Sequence, residues 1–132
     1  MNETELVKIA IEARQEAYAP YSGFGVGTAI LCEDGRVFTG ANVENAVYGL
    51  SLCAERVAAT KAVSEGCRRF KSIAIIADGP TPCPPCGACR QFLAEFGVET
   101  LVIMANTNGD VRKAKLKDLL PLAFTKEQFL NE

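Results

Sequence analysis

A chain of 132 residues, 48% of them hydrophobic and with a formal net charge of −2, is long enough to bury one core unaided and too apolar to be a disordered polymer. No apolar run approaches the roughly 20 residues of a membrane helix. The acidic start Met1-Asn2-Glu3-Thr4-Glu5 lacks the basic and apolar parts of a signal peptide. These points lead to the expectation of a cytoplasmic protein with no membrane and no nucleic-acid partner. The basic residues fall in two scattered groups, Arg68, Arg69 and Lys71, then Arg112, Lys113, Lys115 and Lys117, which read as solvated faces and not as a phosphate-binding surface.

The first helix starts at Asn2, a capping residue with Glu5 at the capping-box position. Leu6, Ile9, Ala10, Ala13 and Ala17 then share one face, and Ala19-Pro20-Tyr21-Ser22-Gly23 ends it. Two strands follow, Gly25 to Leu31 and Arg36 to Ala41, with Asp34-Gly35 as a hairpin signal between them. Ser51 is a suitable cap for a second helix running to about Ser64. A short apolar strand covers Ser72 to Ala77. Thr81-Pro82-Cys83-Pro84-Pro85 is a rigid loop, and Cys86 opens a third helix that reaches about Phe96. Leu101 to Ala105 is a strand, turned by Asn108-Gly109 towards Val111, and Leu116 to Leu120 is a short helix stopped by Pro121. No repeat or linker interrupts the pattern. The order predicts a single α/β domain over residues 1–132, a three-layer α/β/α sandwich around a mixed central sheet of about five strands.

Six cysteines and no histidine narrow the chemistry. In a cytoplasmic chain, clustered cysteines argue for a metal or catalysis over a disulfide framework. Without histidine, proton transfer must fall to a carboxylate, thiol, lysine, tyrosine or metal-held water. Cys86-Gly87-Ala88-Cys89 sits at a predicted helix start, where two thiolates could grip one tetrahedral Zn²⁺ and the helix terminus favours their ionised form. Alone, this motif could equally be a redox pair or half of a structural zinc site. Cys53 lies at another helix start, two residues before Glu55. Three protein ligands, Cys53, Cys86 and Cys89, would leave a fourth place for water, the mark of a catalytic zinc site, and Glu55 could move that water's proton. Cys83 makes a second CxxC with Cys86, but Pro84 and Pro85 keep its segment extended ahead of the helix. Cys32 and Cys67 are expected to be ordinary small residues.

Cys53-Ala54-Glu55 with Pro85-Cys86-Gly87-Ala88-Cys89 resembles the paired motif of the cytidine deaminase family. Ala19-Pro20-Tyr21-Ser22, Asn42-Val43-Glu44-Asn45-Ala46 and Arg90-Gln91 match as well, so the likeness runs from the first helix to Leu119-Leu120-Pro121-Leu122-Ala123-Phe124. The resemblance is to the small homotetrameric form with three cysteine ligands. It implies one Zn²⁺ per chain, bound by Cys53, Cys86 and Cys89, and hydrolytic deamination of cytidine and deoxycytidine to uridine and deoxyuridine plus ammonia. In that scheme zinc-bound hydroxide attacks C4 with Glu55 as proton shuttle. It further implies that Asn42 and Glu44 hold the ribose hydroxyls, Phe24 forms a wall against the base, the Ala54 backbone reads the carbonyl edge of the ring, and Arg56 hydrogen-bonds ligand sulfurs. Tyr48 is expected near the substrate, and Phe124 is expected to reach into a neighbouring subunit's site. Two other readings stand beside this one: an aminonucleoside deaminase of the blasticidin type, and a zinc-stabilised binding module in which Cys83 supplies a fourth ligand.

Overall fold

The computed structural model describes residues 1–129. Helix α1 (Glu3–Arg14) starts as its sequence requires. The Asn2 side chain accepts a hydrogen bond from the Glu5 amide at 2.8 Å. Glu3 and Glu5 lie in the first turn and Arg14 in the last, which suits the helix dipole. Strands β1 (Val26–Cys32) and β2 (Val37–Ala41) form the expected antiparallel hairpin, pairing Leu31 with Val37. Gly35 takes a positive φ of 95° in the turn, a conformation glycine adopts without strain.

Helix α2 (Ala54–Ser64) leads into β3 (Phe70–Ala77), and α3 (Gly87–Ala94) into β4 (Leu101–Asn106). Strand β5 (Val111–Lys115) and the short α4 (Leu116–Leu119) complete the order. The sheet runs β2-β1-β3-β4-β5, with β3 and β4 parallel and every other pairing antiparallel. It is therefore the mixed five-stranded sheet the sequence predicts, with helices on both faces.

Alternation along the strands divides the core in two. Ala29, Leu31, Ala74, Ile76, Ile103 and Ala105 pack against Leu6 and Ala10 of α1. On the other face Ile30, Ile73, Ile75, Val102 and Met104 meet Ala58, Ala59 and Ala62 of α2 and Leu93 and Ala94 of α3. Strand β3, covered by helices on both sides, reads as an almost unbroken apolar run, as central strands do.

The second helix begins two residues later than its best capping residue. Ser51 instead accepts from the Asn45 amide at 3.0 Å, after a 3-10 turn at Tyr48–Leu50, and Cys53 takes the N-cap position. The third helix likewise ends at Ala94, short of Phe96.

Cys32 and Cys67 correct the sequence reading. They are not independent small residues but a disulfide, bridging the end of β1 to the segment after α2 across 35 residues. No motif announces such a pair: the two cysteines are distant in sequence and meet only because α2 packs back along β1. The bridge closes a ring that contains β2 and the whole of α2. A ring of this size stabilises by about 4 kcal/mol, chiefly by restricting the unfolded chain. With its metal chelated, the denatured but unreduced protein is expected to titrate four thiols, Cys53, Cys83, Cys86 and Cys89. The Cys32→Ala/Cys67→Ala variant should lose about 2–4 kcal/mol of stability in urea unfolding. Six reactive thiols, or unchanged stability, would contradict the bridge.

Candidate active site

Strands β2 and β3 point the same way, since β1 is antiparallel to both, so the segments leaving their carboxyl ends start from one edge of the sheet. Each segment leads to a helix whose N-cap is a cysteine: Cys53 for α2 and Cys86 for α3. Neither side chain caps its own helix, so both sulfurs remain free to ligate. With Cys89, buried in the first turn of α3, they bring three sulfur atoms within 4.8 Å of one another. Cys83 lies outside this cluster, its thiol donating to the Pro84 carbonyl at 3.6 Å.

Cys86 and Cys89 are held in place from beyond their helix. Pro85 is fully buried, and its carbonyl accepts from Arg90 Nε at 2.8 Å. The same guanidinium donates to the Leu119 carbonyl at 2.7 Å. Arg90 is thus a supporting residue that its position next to Cys89 did not reveal, because its partners are backbone carbonyls distant in sequence.

The charges around the sulfurs suit a metal. The Cys89 thiol donates to Cys53, and with Arg56 also beside it the Cys53 thiol is drawn down to about 5. The same contact and burial push Cys89 upward. Arg56 Nη2 lies 3.5 Å from Cys53 Sγ, while its Nε is buried with no partner among the described residues. A half-buried guanidinium with an unspent Nε donor, set against Cys53 and Cys89, fits a cluster that becomes anionic when it holds a divalent ion. Three soft thiolates suit zinc. Glu55, in the first turn of α2, is 6% exposed, and burial pushes its carboxyl up to about 7, where it can both take and give a proton near neutrality.

The other predicted residues are placed less uniformly. Asn42 follows β2 and is buried. Its Oδ1 accepts from the Val26 amide and its Nδ2 donates to the Phe24 carbonyl, both at 2.9 Å, so it ties down the segment that carries Phe24. Glu44 accepts from the Tyr21 and Ser22 amides at 3.0 and 3.1 Å and from the Ser22 hydroxyl. The Ser22 contacts hold its carboxyl below the usual range. Glu44 and Tyr48 line one hollow of about 280 Å³ with Tyr21, Ser22 and Ser51. Ser22 and Ser51 are lining residues the sequence did not single out: each reads as turn chemistry, and only the packing turns them towards the hollow. Phe24 and Phe124 are both exposed. The Phe124 carbonyl accepts from Gln91 of α3 at 2.7 Å, and its ring meets Phe129. The structure thus gathers Cys53, Cys86, Cys89, Glu55 and Arg56 into one cluster and Glu44 with Tyr48 into the hollow, while Phe124 lies on the surface beside α3. No helix among the described residues is long and apolar enough to cross a membrane.

Comparison with known proteins agrees with this geometry. Residues 1–105 match the family model described as the cytidine and deoxycytidylate deaminase zinc-binding region. A cytidine deaminase of Halalkalibacterium halodurans is 52% identical over 128 residues, covering 96% of this chain and 97% of that one. The crystal structure of cytidine deaminase from Burkholderia pseudomallei superposes with a TM-score of 0.91 at 48% identity, covering 94% of this chain and 100% of that one. A blasticidin-S deaminase of Bacillus cereus is more distant, 27% identical over 130 residues, covering 92% of this chain and 91% of that one. Three sulfurs at paired helix starts, a buried glutamate beside them, and these likenesses over nearly the whole chain lead to one conclusion: the chain belongs to the family of zinc-binding cytidine and deoxycytidylate deaminases.

Proposed function

We propose that this chain is a single catalytic domain that hydrolyses cytidine and deoxycytidine to uridine and deoxyuridine with release of ammonia. The observation that carries the reading is the cluster of three, not four, sulfurs with a buried carboxyl alongside. Cys53, Cys86 and Cys89 would hold one zinc. Bound zinc supplies Lewis-acid chemistry, lowering the pKa of water it polarises towards about 7. Glu55 takes one proton from the attacking water and delivers it to N3 of the pyrimidine, then takes the second from the hydroxyl formed at C4 and passes it to the departing amino group. The C4–N bond breaks as the C4–O bond is kept, so one water enters and one ammonia leaves. Arg56, against Cys53, withdraws charge from the sulfurs and keeps the metal electrophilic.

Ribose recognition falls to Asn42 and Glu44. Both keep bonding capacity beyond the backbone contacts described above, and those contacts hold them still. Phe24 is the wall for the base, and the Ala54 backbone reads the ring's carbonyl edge. Glu44 stays ionised beside Ser22, so it repels a phosphate placed near the sugar. This favours nucleosides over nucleotides. The reading of a closed zinc module is disfavoured by Cys83 standing outside the cluster, and the blasticidin-type reading by the larger identity to cytidine deaminases.

Two loops leave Tyr18, Tyr21, Phe24, Val43, Tyr48 and Leu50 exposed, held together by bridges from Val43 to Tyr18 and Leu52. So apolar a surface beside the hollow supports assembly. We read it as the contact of a homotetramer in which Phe124 closes a neighbour's site.

Ammonia release from purified, zinc-replete protein tests the activity. Cytidine and deoxycytidine should exceed both cytosine and cytidine monophosphate in kcat/KM. A preference for the monophosphate would overturn the ribose-pocket assignment, and no release from any of them would overturn the function. The Glu55→Gln variant removes the proton carrier and no metal ligand. It should retain zinc and bind substrate while kcat falls by roughly 10⁴-fold, the upper end of what acid–base catalysis contributes. Near-normal turnover with full zinc would exclude Glu55 as the shuttle.

A further inference from the structure

We propose that Gly40, in β2, is a positioning residue for the reaction: the absence of a side chain there seats the first turns of α2 on the sheet and so sets Cys53 and Glu55 against Cys86 and Cys89. The proposal rests on the reading of those four residues as the reactive centre. A Cβ built on Gly40 would lie 2.5 Å from the Ala54 carbonyl oxygen, 2.5 Å from the Ala58 amide nitrogen and 3.1 Å from the Ala58 Cα. All three are backbone atoms of α2, so no change of rotamer makes room. Gly40 is not among the residues with positive φ, and it sits in regular pairing opposite Thr28. Its backbone would accept alanine, so what requires glycine is the closeness of the helix.

The atoms it touches belong to the site. Ala54 lies between Cys53 and Glu55, and its carbonyl is part of the peptide that leads into Glu55. Cys86 and Cys89 are fixed independently, through Arg90 to the carbonyls of Pro85 and Leu119. The centre is therefore built from two halves on separate anchors. Moving α2 off β2 carries Cys53 and Glu55 away while Cys86 and Cys89 stay. Relieving the overlap needs a shift on the order of 1 Å, and a misplacement of that size can cost about 10²-fold in rate. Close-packed protein interiors transmit such a shift without absorbing it.

Gly27 provides a control. Its Cβ would lie 2.2 Å from the Ala10 carbonyl oxygen and 2.6 Å from the Arg14 amide nitrogen, an overlap at least as severe. It presses on α1, across the sheet, which carries none of the four residues.

The test compares Gly40→Ala, Gly27→Ala and wild type, each loaded with Co²⁺ in place of zinc and each followed by urea unfolding. Both variants should unfold at lower urea. Only Gly40→Ala should change the cobalt ligand-field bands, and its zinc form should lose on the order of 10²-fold in kcat with KM within a few fold of wild type. Gly27→Ala should keep the wild-type spectrum. If Gly40→Ala does not fold, Ala58→Val wedges the same contact from the helix side and is read in its place. Wild-type bands and kcat in the folded wedge variant would overturn the proposal, as would an equal spectral change in Gly27→Ala. Absence of thiolate-to-cobalt bands in the wild type would overturn the three-cysteine centre itself, and this proposal with it.

Discussion

Three sulfur atoms held within 4.8 Å of one another repel as thiolates, and much of this molecule is arranged around that repulsion. Each of the two helices meets the cluster with its N-terminus, where unpaired amides favour negative charge. Arg56 places a guanidinium against Cys53. A divalent cation resolves the remaining charge, so affinity for the metal and the shape of the site are parts of one electrostatic balance. Glu55 belongs to it as well. Burial and the nearby Cys53 thiolate raise its carboxyl while Arg56 opposes them, and the outcome is a group that exchanges a proton near neutral pH.

That balance depends on a fold that delivers two helix starts to one place. The parallel relation of β2 and β3, enforced by β1 lying antiparallel between them, puts both connecting segments at the same edge. The alanine face of α2 and the glycine beneath it bring the helix close, and Arg90 fastens α3. The disulfide from Cys32 to Cys67 ties the far end of α2 to β1, so that helix is secured at both ends. The proposed substrate side rests on exposed aromatic loops joined by single bridges, with Asn42 and Glu44 as their internal ties.

Much of this is legible in the sequence where the signal is local. Asn2 announces the first helix, Asp34-Gly35 the hairpin, and the spacing of Cys53, Glu55, Cys86 and Cys89 the reactive cluster. Reading fails where a residue's partner is remote. Ser51 is the better capping residue by type, yet Cys53 takes the N-cap position because the Ser51 hydroxyl is engaged by the Asn45 amide. Cys32 and Cys67 look unremarkable until α2 folds back along β1. Asn42 and Glu44 stand out only through the family resemblance of their motif, and their partners on the segment 21–26 carry no sequence signal. Gly40 looks like a weak strand residue until the closeness of α2 is seen.

The central claim is that three cysteines, and no fourth, bind the zinc and leave one place for water. X-ray absorption at the zinc edge of the purified protein tests it directly. The account predicts three sulfur neighbours at about 2.3 Å and one oxygen at about 2.0 Å. Four sulfur neighbours, with Cys83 drawn in as the last, would contradict it and make the site a structural one.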